Sequence, residues 1–468
     1  MRRTAARSWA RPLCLALVGA VAGGCSGGAG GSTRDGGAEG GDARVSGEVD
    51  AGSSGSDAAR EPVDAGEPEP EPRVDNPFEG ARFYVSPAYG ASVSASIERA
   101  PEALRGAMER VREQPTAVWL DRIAAIEGSA ESWGLRAHLD EALQQRARAG
   151  ETRPMLVALV VYDLPNRDCS ALASNGELSL ADDGLRRYRE EFIDAIAETL
   201  DADPRYRSLP VAVFLEPDSI PNLVTNTGMD RCRVAEPGYR EGVAYALSRF
   251  HALPHVYTYL DIAQSGWLGW DDNVARAITV YREVLAAAGG EDRVAGFVTN
   301  ISNYVPLSEP FDPFTDVGAN QMLIERFYEW NRSIDELRYV ARWRAAFPEH
   351  GFVIDTGRNG WALRGATSPR DARGHRGNWC NQPSGLGERP RASPEPGIHA
   401  YFWIKPPGES DGTSDTSAAR FDASCGAGTL PRGAAGDVAT GALQGAPEAG
   451  RWFHDHFVSL VERAEPPL

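Results

Sequence analysis

Short runs of branched aliphatic residues alternate with longer amphipathic segments over most of the chain. Runs of this length that are apolar throughout are typical of strands buried on both faces of a sheet. Seven such runs lie at residues 117–120, 156–162, 211–215, 256–260, 294–299, 352–354 and 399–404. The amphipathic segments predict helices at residues 98–112, 132–149, 182–200, 239–250, 273–287, 324–346 and 448–462.

Repeated strand–helix units predict a parallel sheet. We expect an α/β fold with about seven parallel strands, arranged as a distorted (β/α) barrel, although the pattern alone suits an open sheet equally well. Functional side chains then lie at the C-terminal strand ends. Two long stretches with little helical pattern, 355–398 and 406–446, predict loops that roof this end.

Polar side chains stand where the apolar runs end. The run 211–215 is followed by Glu216 and Asp218, and the run 156–162 by a segment that contains Asp163 and Asp168. Corresponding positions after the other five runs are Asp121, Asp261, Asn300, Asp355 and Lys405. Together they predict a polar cleft, whereas any single aspartate is more often a helix cap or part of a structural ion pair.

The candidate acids are Asp168, Asp218 and Asp411. Hydrolysis of a glycosidic bond needs one protonated carboxyl group at the leaving oxygen and a route for deprotonating water on the opposite face. A second carboxylate beside the acid raises the pKa of that acid and keeps it protonated, and Asp168 can do this for Asp218. Strand alternation places Glu216 in the wall of the sheet instead.

Tryptophans near these strand ends suggest a sugar-binding surface. An indole face stacks against the apolar face of a sugar ring, while carboxylates, amides and ammonium groups bind the hydroxyls. The candidates are Trp119, Trp267, Trp270 and Trp379. A place in the hydrophobic core is the alternative for each, but glycines flank Trp267 and Trp270 in a loop and favour binding.

Composition restricts the partners. The 468 residues are 42% hydrophobic, as in a soluble globular protein, and carry a formal net charge of −18. That charge argues against nucleic acid and anionic membrane surfaces as partners. No cysteine group has the close spacing of a metal site, so we predict neither a metal nor another cofactor, and we expect a monomer.

The N-terminus reads as an export signal. Basic residues precede the short apolar run 13–22, and small residues then lead to Cys25. Residues 1–25 are therefore a signal peptide, either of the lipoprotein type with Cys25 lipidated or of the ordinary secretory type. Residues 26–74, rich in Gly, Ser, Pro and acids, predict a disordered acidic tether, and residues 75–468 a catalytic domain.

Four cysteines remain beyond the signal: Cys169, Cys232, Cys380 and Cys425. An even number in an exported protein predicts two disulfides, and arithmetic alone allows three pairings.

Five motifs resemble glycoside hydrolase family 6, the inverting cellulases that cut β-1,4-glucan. The resemblance covers residues 76–468, and the bacterial exo-acting cellobiohydrolases are the most similar. The motifs are Val-Tyr-Asp-Leu-Pro-Asn-Arg-Asp-Cys from 161, Glu-Pro-Asp-Ser-Ile-Pro-Asn from 216, Gly-Trp-Leu-Gly-Trp from 266, Gly-Asn-Trp-Cys-Asn from 377 and Trp-Ile-Lys-Pro-Pro-Gly-Glu-Ser-Asp from 403.

The resemblance implies a role for each matched residue. Asp218 would be the proton donor, Asp168 would hold the donor's proton, and Asp411 is the candidate base. Tyr162 would press on the sugar at the cleavage point, and Ser174 would bind the catalytic water. The residues implied in the glucose subsites are Trp119, Asp121, Gln264, Trp267, Trp270, Asn303, Trp379, Lys405 and Glu409. The family also pairs Cys169 with Cys232 and Cys380 with Cys425.

Two departures from the family pattern affect the expected activity. Gln264 stands where the family usually has histidine, and the loop 358–377 is shorter than in the bacterial relatives. Because this loop helps to close a tunnel, exo action from the non-reducing end is the main prediction and an open-cleft endoglucanase is the first alternative. A surface glucan-binding lipoprotein without catalysis is the other.

Overall fold

The computed structural model describes residues 73–150, 152–361 and 369–468. The predicted signal peptide, Cys25 and almost all of the predicted tether lie outside these residues. Arg73 already contacts the folded domain, because its guanidinium donates hydrogen bonds to the carbonyls of His251 and Leu253. Among the described residues, no helix has both the length and the apolar character to cross a membrane.

A curled, mainly parallel sheet forms the centre of the domain. Its strands are β1 (Arg82–Phe83), β2 (Val118–Leu120), β3 (Met155–Val161), β4 (Val211–Leu215), β5 (Val256–Asp261), β6 (Gly296–Thr299), β7 (Gly351–Asp355), β8 (Arg391–Glu395) and β9 (Ile398–Phe402). Neighbours follow the order β1-β3-β4-β5-β6-β7-β9-β8, and β2 also pairs with β3. Only β8 runs antiparallel among the strands described in this sheet. All seven predicted strands are confirmed, whereas the sequence pattern missed β1, β8 and a small hairpin, β10 (Thr429–Pro431) with β11 (Asp437–Ala439).

The two ends of the sheet approach each other, so the sheet is a distorted barrel rather than an open one. The backbone amide of Ala117, just before β2, donates a hydrogen bond of 3.2 Å to the carbonyl of Trp403, just after β9. The Trp119 indole nitrogen donates another, of 2.9 Å, to the carbonyl of Ile404. The predicted barrel is confirmed, with these bonds at its junction.

Helices cover the outside of the sheet. They are α1 (Pro87–Arg99), α2 (Glu102–Arg112), α3 (Ala124–Glu127), α4 (Leu135–Arg148), α5 (Gly184–Arg187), α6 (Asp194–Asp201), α7 (Ser219–Thr225), α8 (Asp230–His251), α9 (Ser265–Leu268), α10 (Asp271–Ala288), α11 (Val317–Leu323), α12 (Glu336–Ala346) and α13 (His454–Glu462). π-helical turns at Tyr188–Ile193 and Ile324–Tyr328 follow α5 and α11.

Two predicted helices were wrong as continuous elements. The segment 98–112 is divided between α1 and α2, because Pro101 cannot continue a helix from the preceding turn. The segment 324–346 is interrupted after its π-helical turn, where Glu329 and Trp330 adopt left-handed backbone conformations with φ of 48° and 63°. Helix α12 then begins only at Glu336, capped by the Asp335 side chain.

Strand alternation divides the core into two layers and explains why β3 is apolar throughout. Val157, Leu159 and Val161 pack against the outer helices. Leu156 and Val160 face the barrel interior, where they join a second cluster with side chains of the neighbouring strands. Tyr162 continues this inner row and so lies beneath the C-terminal end of the barrel.

Candidate active site

A cavity of about 830 Å³ opens at the C-terminal ends of the strands. All fourteen residues that the sequence assigned to catalysis or sugar binding line it. They are Asp218, Asp168, Asp411, Tyr162 and Ser174, together with Trp119, Asp121, Gln264, Trp267, Trp270, Asn303, Trp379, Lys405 and Glu409. Residues separated by almost 300 positions in the sequence therefore share one chamber.

Asp218 lies at the junction of β4 and α7, a short helix that the sequence pattern missed. Its backbone has a φ of 64°, and its amide donates a 2.9 Å hydrogen bond to the Asp261 carboxylate at the end of β5. The Ser302 hydroxyl donates a 2.7 Å bond to Asp218 Oδ1. Burial and the negative charges of Asp261 and Asp168 raise the pKa of Asp218 well above its usual value, although the Ser302 bond opposes them. This carboxyl group is therefore protonated under conditions in which an exposed aspartate is ionised.

Asp168 lies on the loop after β3, with the hydroxyls of Tyr162 and Ser174 bonded to its carboxylate. Burial raises the pKa of Asp168, while those hydroxyls and the positive charge of Arg167 act in the opposite direction. The Arg167 guanidinium also lies 4.3 Å from the centre of the Tyr162 ring, which fixes the ring over the barrel. Three predicted catalytic residues thus form one connected group.

Glu216 belongs to the wall of the barrel, as strand alternation predicts. Its carboxylate accepts hydrogen bonds of 3.0 and 3.2 Å from the backbone amides of Asp163 and Leu164. Burial raises the pKa of Glu216 to about 7. The side chain is fully buried and ties the end of β4 to the loop after β3, so its position is structural.

Asp411 has an environment opposite to that of Asp218. Arg358 Nη1 lies 2.5 Å from Asp411 Oδ1, while the Tyr304 hydroxyl and the Asn381 amide donate to Oδ2. Burial would raise the pKa of Asp411, but Arg358, Lys405 and the Tyr304 hydrogen bond outweigh it, and the pKa lies below its usual value. Asp411 is therefore an ionised carboxylate beside the cavity.

Aromatic side chains line the cavity along its length. Trp119 packs edge to face on Tyr162, with ring centres 5.7 Å apart, and Lys405 Nζ lies 4.7 Å from the centre of the Trp119 ring. Hydrogen bonds orient the indole nitrogens of Trp267 and Trp270, which donate to Thr225 Oγ1 and to the carbonyl of Glu329. The fourth ring, Trp379, packs against the disulfide between Cys380 and Cys425.

The remaining predicted sugar-binding side chains differ in how they are held. Asp121 forms two 2.9 Å hydrogen bonds with the neighbouring Arg122, and Asn303 accepts one from Arg373. Burial raises the pKa of Glu409 to about 7, although Lys405, 3.9 Å away, opposes the rise. Gln264 is 4% exposed, and its Oε1 has no hydrogen-bond partner among the described residues.

Both disulfides join the pairs that the family resemblance implies. Cys169 bonds to Cys232 across 63 residues, and Cys380 to Cys425 across 45. The first links the loop after β3 to α8. The second touches Gly412, since Cys380 Sγ lies 3.8 Å from the Gly412 carbonyl. Each bond thus fixes the backbone immediately after a candidate carboxylate, Asp168 or Asp411.

Sequence reasoning missed the groups that set the charges of the two acids. Asp261 was recognised as a polar strand end but not as the neighbour of Asp218. Ser302, Tyr304 and Arg358 were not singled out, although all three follow strand ends at β6 and β7 in the same way. The signal that could have found them is their spacing of three to five residues after those strands.

Comparison with known proteins now decides the family. The model of glycosyl hydrolases family 6 matches residues 78–464. The chain belongs to this family. Exoglucanase A of Cellulomonas fimi is 44% identical over 430 residues, which cover 84% of this chain and 49% of that protein. The 1,4-beta-D-glucan cellobiohydrolase C of Emericella nidulans is 38% identical over 397 residues, covering 84% of this chain and 79% of the relative.

Solved structures agree with this family 6 assignment. The catalytic domain of Cellulomonas fimi Cel6B superposes with a TM-score of 0.78 at 42% identity, covering 85% of this chain and 97% of that domain. Cellobiohydrolase II (Cel6A) from Humicola insolens, in complex with glucose and cellotetraose, gives 0.71 at 34% identity, covering 84% and 100%. This family 6 chain spans about half the length of the exoglucanase from Cellulomonas fimi, and all but a few residues of the solved catalytic domains.

Proposed function

We propose that this chain hydrolyses β-1,4-glucosidic bonds of cellulose with inversion and releases cellobiose from the non-reducing end. The observation that carries the proposal is a carboxyl group with a raised pKa, Asp218, inside a cavity lined by five tryptophans, four of which the sequence assigned to sugar binding. The relatives named as exoglucanase and cellobiohydrolase, and the solved complex with cellotetraose, support the substrate. The catalytic domain carries the activity and needs no metal.

Asp218 acts as the general acid. Its proton goes to the glycosidic oxygen as the bond to the anomeric carbon breaks, which leaves Asp218 as an anion. The nearby negative charges of Asp261 and Asp168 hold the proton on Asp218 before the reaction. The proton is transferred because the glycosidic oxygen becomes more basic as its bond to the anomeric carbon breaks. Ser302 stabilises the resulting carboxylate through its hydroxyl.

The opposite face of the sugar needs a water molecule and an acceptor for its proton. The hydroxyls of Tyr162 and Ser174 converge on Asp168, so a water bound near Ser174 has a hydrogen-bonded route to a carboxylate. Asp411 already accepts three hydrogen bonds from protein donors, and its pKa lies below the usual value, which makes it a weak direct base. We assign to it a fixed negative charge that favours the developing positive charge at the anomeric carbon.

Aromatic and polar groups divide the work of binding the glucan. Trp119, Trp267, Trp270 and Trp379 offer ring faces to successive sugars, and Asp121, Asn303, Lys405 and Glu409 bind hydroxyls. Gln264 adds an amide whose Oε1 accepts a sugar hydroxyl without first losing a protein partner. The Trp119 and Tyr162 rings enclose the sugar at the cleavage point.

We base exo action on the two long loops, 355–398 and 406–446, that the sequence predicts to roof the cavity. The disulfide between Cys380 and Cys425 holds two loops of this roof together, while residues 362–368 lie outside the described part of the chain. Carboxymethylcellulose separates the two modes, because endo cleavage lowers viscosity steeply at an early stage of sugar release. A slow viscosity loss with cellobiose as the main product is expected, and a steep early loss would identify an endoglucanase.

We also propose that the protein is exported and acts outside the cytoplasm as a monomer. Its relatives are cellulases, and their substrate, cellulose, is an insoluble polymer. The two disulfides suit an oxidising compartment. Lipidation of Cys25 would attach it to the cell envelope. Mass spectrometry of the mature N-terminus tests the anchor, since an unmodified Cys25 or a later start contradicts lipidation.

The decisive experiment replaces Asp218. Asp218→Ala removes the proton donor, and we expect hydrolysis of cellulose to fall by about 10²- to 10⁴-fold. Asp230→Ala, an exposed aspartate whose side chain is 86% accessible at the start of α8, is the matched control and should retain full activity. Wild-type rates in Asp218→Ala would refute the enzyme assignment at its centre.

A further inference from the structure

Trp330 is an exposed indole at the edge of the cavity. It is 54% exposed, whereas Trp343 and Trp403 are fully buried. The preceding residues Phe327 and Glu329 line the cavity, and the carbonyl of Glu329 accepts the hydrogen bond from the Trp270 indole. Trp330 therefore follows directly after the residue that holds the Trp270 indole.

The backbone presents this side chain in an unusual conformation. Glu329 and Trp330 both have positive φ, a region that bulky residues rarely adopt and that glycine or asparagine would occupy more easily. Strain of this kind is retained where the surrounding structure fixes it, and it clusters at ligand-binding positions. A tryptophan here leaves about half of its apolar surface exposed within the described part of the chain.

Hydrogen bonds on both sides make the position rigid. The Trp330 amide donates to the carbonyl of Ile324 at 3.1 Å. The next residue, Asn331, is fully buried, and its side chain donates a 2.7 Å bond to the carbonyl of Ser265 at the start of α9. A ring held on a fixed backbone loses little conformational freedom when a flat partner stacks on it.

We propose that Trp330 is an additional stacking site for a single glucan chain, outside the cavity and beyond Trp270. Continuity with the cavity lining selects this occupant, because Glu329 lines the cavity, accepts the hydrogen bond from the Trp270 indole and directly precedes Trp330. The site takes a neutral β-linked sugar polymer and acts in capturing insoluble substrate. It rests on the proposed function, because it extends the same glucan path.

The experiment compares long and short substrates. Trp330→Ala should weaken adsorption to microcrystalline cellulose by about 2- to 10-fold, the range expected for loss of one aromatic stacking contact. Hydrolysis of soluble cellotriose, a short substrate, should be unchanged, because Trp330 is not among the residues that line the cavity. Trp330→Phe keeps a planar ring and should retain most of the adsorption.

Met322→Ala is the matched control, since Met322 is 67% exposed on the adjacent α11 but has no planar ring. It should adsorb like the wild type. Unchanged adsorption of Trp330→Ala overturns the proposal, and so does an equal loss with Met322→Ala or an equal loss of cellotriose hydrolysis. Sedimentation that shows wild-type dimers and Trp330→Ala monomers would identify a self-association surface and also overturn it.

These results are separable from the proposed function. A wild-type protein that hydrolyses cellotriose but adsorbs no better than Trp330→Ala loses only the Trp330 site. A wild-type protein that hydrolyses no β-1,4-glucan loses the proposed function, whatever the adsorption shows.

Discussion

The carboxyl groups of Asp218 and Asp411 lie beside the same cavity in opposite charge states. Asp218 has two carboxylates as neighbours, Asp261 and Asp168, and one hydroxyl donor. Asp411 has a guanidinium, a phenol and a backbone amide as donors. Burial penalises the charge of both, so the difference between them arises from their partners.

The comparison shows how one cavity keeps an acid and an anion at once. A buried carboxyl group without a cation stays protonated, and one with a paired arginine stays ionised. Groups three to five residues beyond the ends of β6 and β7 make this division, since Ser302 donates to Asp218 whereas Tyr304 and Arg358 donate to Asp411. Substitutions at these partners therefore test each charge state separately.

The largest effect is expected at the Asp411 ion pair. Arg358→Met leaves a buried carboxylate without its cation, and the free energy of unfolding should fall by about 3–5 kcal/mol. Denaturant unfolding measures the loss. The double variant with Asp411→Asn removes the uncompensated charge and should recover part of the stability. Wild-type stability of Arg358→Met would show that Asp411 is not held as an anion by Arg358.

A smaller loss is expected at the disulfide next to Asp411. Cys380→Ala with Cys425→Ala removes the covalent link between the two loops that meet near Gly412. The free energy of unfolding should fall by about 2–4 kcal/mol. The variant for comparison has Cys169→Ala with Cys232→Ala, which removes the disulfide next to Asp168. Thermal unfolding of the two variants measures both losses, and activity on cellulose should fall more in the first if the roof closes the cavity there. Equal activities of the two variants would contradict a closed cavity at the disulfide between Cys380 and Cys425.

The smallest effect is a displacement of the pH profile. The protonated form of Asp218 is required, so activity should be present below its raised pKa and be lost as pH rises through it. Asp261→Asn removes the larger of its two repulsive charges, lowers that pKa and moves the alkaline limb to lower pH. Ser302→Ala removes a hydrogen bond to the anion and moves the same limb to higher pH.

Rates across a pH series for both variants check the opposite signs. Shifts in the same direction, or none, would mean that the alkaline limb does not report Asp218.

The sequence predicted those parts of the site that lie directly on strand ends. Alternation in β4 placed Glu216 in the wall of the barrel, because a buried strand leaves the residue that follows it little choice of direction. Asp168 and Asp218 lie on the segments beyond β3 and β4, and their predicted roles came from the family resemblance. Partners such as Asp261 and Arg358 come from neighbouring strands, and their register is a tertiary property. The break at Glu329 and Trp330 was equally invisible, because helical periodicity continues through residues that the fold forces into a left-handed turn.

The junction of the barrel has a thermodynamic consequence. Trp119 belongs to one edge of the sheet and Lys405 to the other, yet they touch each other and share the proposed sugar-binding surface. A glucan bound there would clasp both edges, so part of its binding energy would oppose separation of the edges. A ligand that binds only the closed barrel stabilises it by mass action. Bound substrate would therefore stabilise the contact between the two edges reversibly.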